Sequence, residues 1–243
     1  MTEKFVIGID SSTQSTKAIV WNEKGQPVSE GRAPISMKMP QPGHAEQDPH
    51  EWWDSFKIAL RQAVQEIDPK RVEGLSISNQ RETVAFLDQD GTSLHDAMVW
   101  LDQRAQLEVE ELSRILGARK IHQITGKPVD TAPVLYRLKW LSNNKPEVLE
   151  KTHRILDVQG YLVFRLTGTA KTSWTSADPF GTFDIQKKVW SSTLLDQVGV
   201  RSDQFPEALC PGEEIGKISE KCASEFNLPM NLKIFAGGGD GQC

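Results

Sequence analysis

The apolar run Phe5-Val6-Ile7-Gly8-Ile9 stops at a carboxylate, Asp10, and a turn of hydroxyl and amide side chains follows, Ser11-Ser12-Thr13-Gln14-Ser15-Thr16. Directly after Lys17 the apolar strand Ala18-Ile19-Val20-Trp21 resumes. Two β-type runs joined by so short a polar turn make a hairpin, and the rest of the chain has to be built around its sheet. Short polar donors, free backbone N–H groups and one cation suit phosphate oxygens, and a carboxylate beside them suits a magnesium ion, a hard cation that prefers oxygen. The segment is therefore a candidate nucleotide-phosphate hairpin, with Asp10 as the metal residue and Thr13, Gln14, Ser15 and Lys17 around the phosphates. It is not a Walker loop, because no G-x-x-x-x-G-K-[ST] occurs and the element after the turn is strand rather than helix. Taken alone the same residues also describe an ordinary surface hairpin, with Lys17 a solvated strand-end charge.

The 243 residues are 38% apolar and 25% charged, enough to bury one sizeable core or two small ones. No run of about 18 apolar residues exists, and Glu3 and Lys4 precede the first strand, so the sequence suggests neither a membrane span nor a signal peptide. A cytoplasmic location is the default expectation. A net charge of −5 with dispersed Lys and Arg argues against nucleic-acid binding. Cys210, Cys222 and Cys243 are widely spaced and unmatched by histidine at ligand spacing, which fits reduced structural thiols. The five histidines form no triad or metal set.

Along the chain, strands near 4–10, 16–22 and 27–35 form a meander, the second turn carrying Gly25 where positive φ is needed. Asp48 suits a helix N-cap, with Pro49 at the first helical position and Glu51 three after the cap. Trp52, Trp53, Phe56, Leu60, Ala63, Val64 and Ile67 then form one apolar stripe, so these tryptophans are expected in the core rather than against a ligand. Val72–Ser78 alternates as a half-buried strand and Thr83–Leu87 follows as the next, placing Arg81 and Glu82 between them. Helical spacing returns in Leu107, Val109, Leu112, Ile115 and Leu116, in Leu135, Leu138, Trp140 and Leu141, and from Tyr161 to Leu166. Residues 171–195 read as loop and short strand. Leu209-Cys210-Pro211-Gly212-Glu213 reads as a boundary turn before a small terminal βα unit. Phe235-Ala236-Gly237-Gly238-Gly239-Asp240 is a strand entering a glycine-rich turn, which suggests that the chain stops inside an element.

Gly8-Ile9-Asp10 with Thr13, Ser15 and Lys17 resembles the opening of the FGGY carbohydrate kinases, members of the actin-like ATPase superfamily. Pro42-Gly43-His44-Ala45-Glu46-Gln47-Asp48-Pro49 with Trp52-Trp53 is similar to the stretch before the first helix of that family. Asn79-Gln80-Arg81-Glu82-Thr83 resembles its sugar-contacting motif as found in glycerol kinases, and Gly237-Gly238-Gly239-Asp240 the segment with its catalytic aspartate. The resemblance covers essentially the whole chain. It implies an α/β, ribonuclease H-like fold with a mixed central sheet and flanking helices. It further implies that residues 1–243 are the sugar-binding N-terminal domain of a protein about twice as long, truncated before a second, nucleotide-binding domain. On that reading the isolated fragment is inactive or nearly so.

The implied activity is transfer of the γ-phosphate of ATP, with magnesium, to a hydroxyl of a sugar or polyol. Such a transition state is loose, so the protein positions reactants, neutralises phosphate charge and supplies a base for the hydroxyl proton. Asp240 is the candidate base and also touches substrate, its glycines allowing close backbone approach. Arg81 and Glu82 set a fork of donors beside an acceptor, suited to vicinal hydroxyls, although an exposed ion pair is the plain alternative. Trp100-Leu101-Asp102-Gln103-Arg104 resembles a family segment near the sugar, which makes Asp102 a further substrate candidate and Arg104 its neighbour. Glycerol kinases carry a tyrosine shortly after Thr-Gly-x-x-x-Asp. Here Thr125–Asp130 is followed by Thr131-Ala132-Pro133, which favours a pentulose such as xylulose over glycerol. An actin-like ATP switch and a catalytically silent sugar sensor remain open, as does a homo-oligomer.

Overall fold

The computed structural model describes residues 3–243. Strands β1 (Phe5–Ser11), β2 (Ser15–Asn22) and β3 (Pro27–Pro34) form the expected antiparallel meander. Along β1 the residues Phe5, Ile7 and Ile9 point into the core while Val6, Gly8 and Asp10 face the other way, the period of two that a half-buried strand dictates. After the short strand β4 (Glu46–Gln47), helix α1 (Pro49–Val64) lies across this core face. The contact is so close that a methyl group on Gly31 would sit 2.1 Å from the Ala59 carbonyl oxygen. Asp48 caps α1 by accepting from the His50 N–H at 2.9 Å, with Pro49 first in the helix. The Glu51 carboxylate does not close a capping box. It accepts instead from the Ser36 N–H at 2.8 Å and ties the helix start to the preceding segment. Trp52 and Trp53 are buried, Trp52 edge-on to Tyr161 and Trp53 stacked on Phe56, so both are core side chains.

Strand β5 (Val72–Asn79) then pairs parallel to β1. The link through Arg81 and Glu82 leaves this sheet for a second one, in which β6 (Val84–Leu87) lies between β7 (Ser93–His95) and a later strand, Arg154–Asp157. The short strand β8 (Ala97–Met98) pairs with β4. Helices α2 (Gln106–Leu116), α3 (Ala118–Thr125), α4 (Val134–Asn144) and α5 (Pro146–Lys151) cover the second sheet around Phe86, Leu112, Leu135, Leu138, Leu141 and Ile155. The sequence pattern did not separate α3 and α5, which are too short to show a helical period. In α2 only part of the expected stripe is buried: Leu112 is inside, whereas Leu107 is 75% exposed.

Strand β9 (Arg154–Asp157) runs into α6 (Val158–Thr167), whose side chains join the first core beside α1. The region after it contains β10 (Lys171–Ser173), the single-turn helix α7 (Trp174–Ala177) and short hairpin strands, as the sequence suggested. The turn at 209–213 is not a boundary. Strand β11 (Glu214–Lys217), helix α8 (Glu220–Glu225) and strand β12 (Lys233–Phe235) return to the first sheet, β12 pairing parallel with β5 and β11 antiparallel at its edge. The sheet order is β11-β12-β5-β1-β2-β3. Its three parallel strands therefore all point their carboxyl ends at one rim, formed by Ser11, Asn79 and Phe235 with the residues that follow them. All three cysteines are free. No described helix is long and apolar enough to cross a membrane.

Candidate functional site at the carboxyl rim of the sheet

In open α/β sheets, ligand sites form outside the carboxyl ends of the parallel strands, because the chain leaves the ladder there and its polar groups are freed. The first of these exits is the hairpin. The ladder runs one residue further on each side than the sequence indicated, with Ser11 paired to Thr16 and Asp10 to Lys17. The turn is thus only Ser12-Thr13-Gln14, closed by the Ser12 N–H donating to the Ser15 carbonyl at 3.0 Å. Thr13 is held at both oxygens: its carbonyl accepts from Gln47 Nε2 at 2.6 Å and its hydroxyl from Trp100 Nε1 at 3.1 Å. The Gln14 carbonyl accepts from the Ile35 N–H at 2.9 Å, while its side chain is exposed. Ser15 is buried, its hydroxyl accepting from Arg32 Nε at 3.1 Å. Arg32 therefore brings to the hairpin a cation that the motif did not indicate. Lys17, 40% exposed, leans away from the tip to Glu30, 2.9 Å away. An exposed pair of this kind is worth about 0–1 kcal/mol, so Glu30 holds Lys17 only weakly.

Asp10 stands opposite Ser78 on β5, whose hydroxyl donates to its Oδ1 at 3.3 Å. Crowding of protein around this carboxyl raises its pKa above the usual carboxylate range; the Ser78 hydrogen bond opposes the shift, and the charge of Asp240 adds to it. Asp240 arrives here because β12 exits along β5 through three glycines. A methyl group on Gly237 would sit 1.9 Å from the Ile77 carbonyl oxygen, a separation that no Cβ tolerates. The Asn79 N–H donates to the Gly238 carbonyl at 3.3 Å and the Gly239 N–H to Thr175 Oγ1 at 3.4 Å. Asp240 then opens a single turn (Asp240–Gln242), exposed, with its Oδ1 accepting from the Gly241 N–H at 2.8 Å.

The second exit, after β5, carries Arg81 and Glu82. Arg81 packs its methylenes on Gly239 and donates from Nη2 to Asp178 Oδ2 at 3.1 Å, with Glu82 Oε1 3.7 Å away. Glu82 sits at φ 48°, a left-handed conformation uncommon for a residue with a Cβ. Burial raises its pKa, the cations Arg81, Lys127 and Arg137 oppose the rise, and Asp240 adds to it. What holds this backbone is Arg137 of α4, fully buried. It donates to the carbonyls of Glu82, of Val99 (2.5 Å) and of Ala132 (2.8 Å), one in each of three loops. Burial lowers its pKa to about 10, partly offset by the charges of Asp102 and Glu82. The motifs did not point to Arg137. A signal was present: an arginine three after Val134 and four before Leu141, on the buried face of an apolar helix. Lys127 and Asp178, also beside Glu82 and Arg81, carried no such signal.

Asp102, the further substrate candidate, is engaged within the protein. It is 0% exposed and both oxygens are filled: Oδ2 accepts from the Ala45 N–H at 2.8 Å, and both oxygens accept from the Arg104 guanidinium, which also reaches Glu46 at 2.6 Å. Burial would raise its pKa, but the hydrogen bonds from Arg104 and Ala45 and the arginine charge hold it below the usual range. The pair braces the segment before α1 against the turn at 99–104.

The mixed sheet thus gathers at its carboxyl rim two carboxylates, Asp10 and Asp240, with the Arg81–Glu82 pair beside them, on an α/β fold. The model of the FGGY family of carbohydrate kinases, N-terminal domain, matches residues 5–243, and the chain belongs to that family. Among curated proteins it is 26% identical to a xylulose kinase of Staphylococcus xylosus, covering 98% of this chain and 50% of that protein. It is 32% identical to a glycerol kinase of Thermococcus kodakarensis, covering 99% and 48%. The solved gluconate kinase of Lactobacillus acidophilus superimposes with a TM-score of 0.94 at 27% identity, over 99% of this chain and 49% of that one. The glycerol kinase of Plasmodium falciparum, solved with ADP, gives 0.91 at 27%, over 99% and 49%. The chain spans about half the length of the curated relatives it matches.

Proposed function

We propose that this chain is the sugar-binding part of an ATP-dependent kinase that phosphorylates a hydroxyl of a sugar or polyol. The observation that carries the reading is the meeting of Asp10 and Asp240, from opposite ends of the chain, at the rim where Arg81 and Glu82 also stand. Arg81 and Glu82 bind vicinal hydroxyls as donor and acceptor and set the reactive one beside Asp240. Asp240 accepts that hydroxyl's proton while the oxygen forms a bond to the γ-phosphorus and the bond from that phosphorus to the β-phosphate oxygen breaks, so that ADP leaves. Thr13, Gln14, Ser15 and Lys17, with Arg32, face the phosphates at the hairpin. Asp10 fits a magnesium ion. Its carboxylate is exposed, a second negative charge acts on it, and among the described residues no group of three or more candidate ligands cages a metal, so phosphate and water would supply most oxygens, as magnesium prefers. Bound there, the ion would neutralise phosphate charge.

For the substrate we favour a pentulose such as xylulose, supported by Thr131-Ala132-Pro133 where a glycerol kinase carries tyrosine, and by a relative named as a xylulose kinase. The glycerol-kinase-like Asn79–Thr83 stretch supports glycerol as the second reading. We take the remaining nucleotide contacts to come from the half of the full-length protein that this chain does not contain, consistent with the coverage of its relatives. The test is ADP release by the full-length protein with ATP and magnesium against pentuloses, hexoses, polyols and glycerol. Release that depends on one sugar class supports the reading; hydrolysis indifferent to every sugar, or sugar binding without turnover, sinks it in favour of a switch or a sensor.

A further inference from the structure

The rim holds more hydrogen-bonding capacity than glycerol can use. Lys127 and Asp178 stand next to Arg81 and Glu82. Lys127 follows helix α3 on a fixed backbone. Its N–H donates to Thr125 Oγ1 at 3.0 Å, and Gly126 is left-handed at φ 67°, where a methyl group would lie 2.7 Å from Ile185. Asp178 opens a tight turn (Asp178–Phe180) whose Pro179 and Phe180 are buried. Both side chains are thus presented from rigid supports, a condition for a binding group rather than a surface charge.

Their pairing is incomplete in a telling way. Lys127 Nζ and Arg81 Nη2 both reach the same oxygen, Asp178 Oδ2, at 2.5 and 3.1 Å. Arginine–carboxylate pairs are frequently bidentate, which uses both oxygens. Here Asp178 Oδ1 has no partner among the described residues, the Glu82 carboxylate has only the 3.7 Å approach of Arg81, and Arg81 Nε is buried without a partner. The ammonium of Lys127 keeps two of its three donors. Side-chain exposures of 20% for Lys127 and 18% for Asp178 leave both reachable from the rim. Two donors, Arg81 and Lys127, and two acceptors, Glu82 and Asp178, are thus clustered at the rim. Glycerol has one hydroxyl for Asp240 and two for Arg81 and Glu82, which leaves Lys127 and Asp178 unused.

We propose that Lys127 and Asp178 form a distal hydroxyl subsite that selects open-chain polyols and ketoses longer than glycerol. This rests on the kinase reading. The experiment measures kcat and KM of the full-length protein, its Lys127→Met and its Asp178→Asn variants with D-xylulose, xylitol and glycerol. A lost hydrogen bond to a charged group corresponds to about tenfold in affinity. The expected result is a loss of about that size in kcat/KM for the five-carbon substrates, carried by KM, and a smaller loss for glycerol, so that the selectivity ratio collapses. Equal losses for long and short substrates, or a loss carried by kcat, would assign the pair to holding Arg81 and overturn the subsite. If no substrate is turned over, the kinase reading fails separately, and calorimetry with xylitol decides the subsite: weakening in both variants supports it, and no binding to the wild-type protein, or equal binding to all three, overturns it.

Discussion

The hairpin and the Arg81–Glu82 corner meet at one rim, yet they are held by different means. The hairpin rests on a regular ladder, Ser11 to Thr16 and Asp10 to Lys17, with Gln47 and Trp100 holding Thr13 at its tip, and its charged groups lie at the surface. The corner has no ladder. Three loops, at Glu82, Val99 and Ala132, are fastened to one buried guanidinium, and an ion pair, Asp102 with Arg104, braces the turn behind them. A site made from backbone periodicity survives the loss of a side chain, whereas one hung on buried charges depends on each of them.

The largest expected effect comes from the brace. Removing one partner of a buried pair strands the other, so Asp102→Ala should cost about 3–5 kcal/mol in urea unfolding. Because the Asp102 pKa is depressed, its contribution is present above the ordinary carboxylate range and is lost as pH falls through the native value; the variant should lack that acid-side slope. Arg137→Met is next, at about 2–4 kcal/mol from carbonyls left unpartnered, with sugar affinity down about tenfold or more. Arg137→Lys should recover part of both. An Arg137→Met protein with unaltered sugar affinity would break the comparison.

Asp157 is buried at the start of α6, with Oδ2 accepting from Thr172 Oγ1 at 3.0 Å and Oδ1 unpartnered. Burial raises its pKa to about 7, against the hydrogen bonds that favour the charge. The sign follows directly: the native state holds a proton that the unfolded chain releases near pH 4, so this residue makes stability fall as pH rises toward about 7. Asp157→Asn should flatten that slope and raise the melting temperature at pH 8 by roughly 3 °C. A steeper slope in the variant would contradict the assignment. The smallest effect should be that of Lys17→Met, within about 1 kcal/mol of stability, read together with a modest rise in KM for ATP.

The same contrast explains what was legible in the sequence. The hairpin, the α1 stripe and β5 follow periods of two or 3.6 residues, which the order of residues displays. The bracing of Asp102 was not legible, because Trp100–Arg104 gives no hint that Ala45 and Glu46 fold against it. Arg137 showed only as one charge in an apolar stripe, and Lys127 and Asp178 sit in non-periodic loops. The return of β11 and β12 to the first sheet rests on parallel pairing between distant segments, which no local pattern encodes.

The central claim is that Asp240 serves as the base at a rim where the sugar is held by other groups. Turnover and sugar affinity of full-length Asp240→Asn, measured side by side, test it most directly. We expect ADP release to fall to background while calorimetric sugar affinity stays within about threefold of wild type, since the amide keeps the shape and loses the proton acceptor. Retained turnover, or affinity lost in step with turnover, would contradict the account.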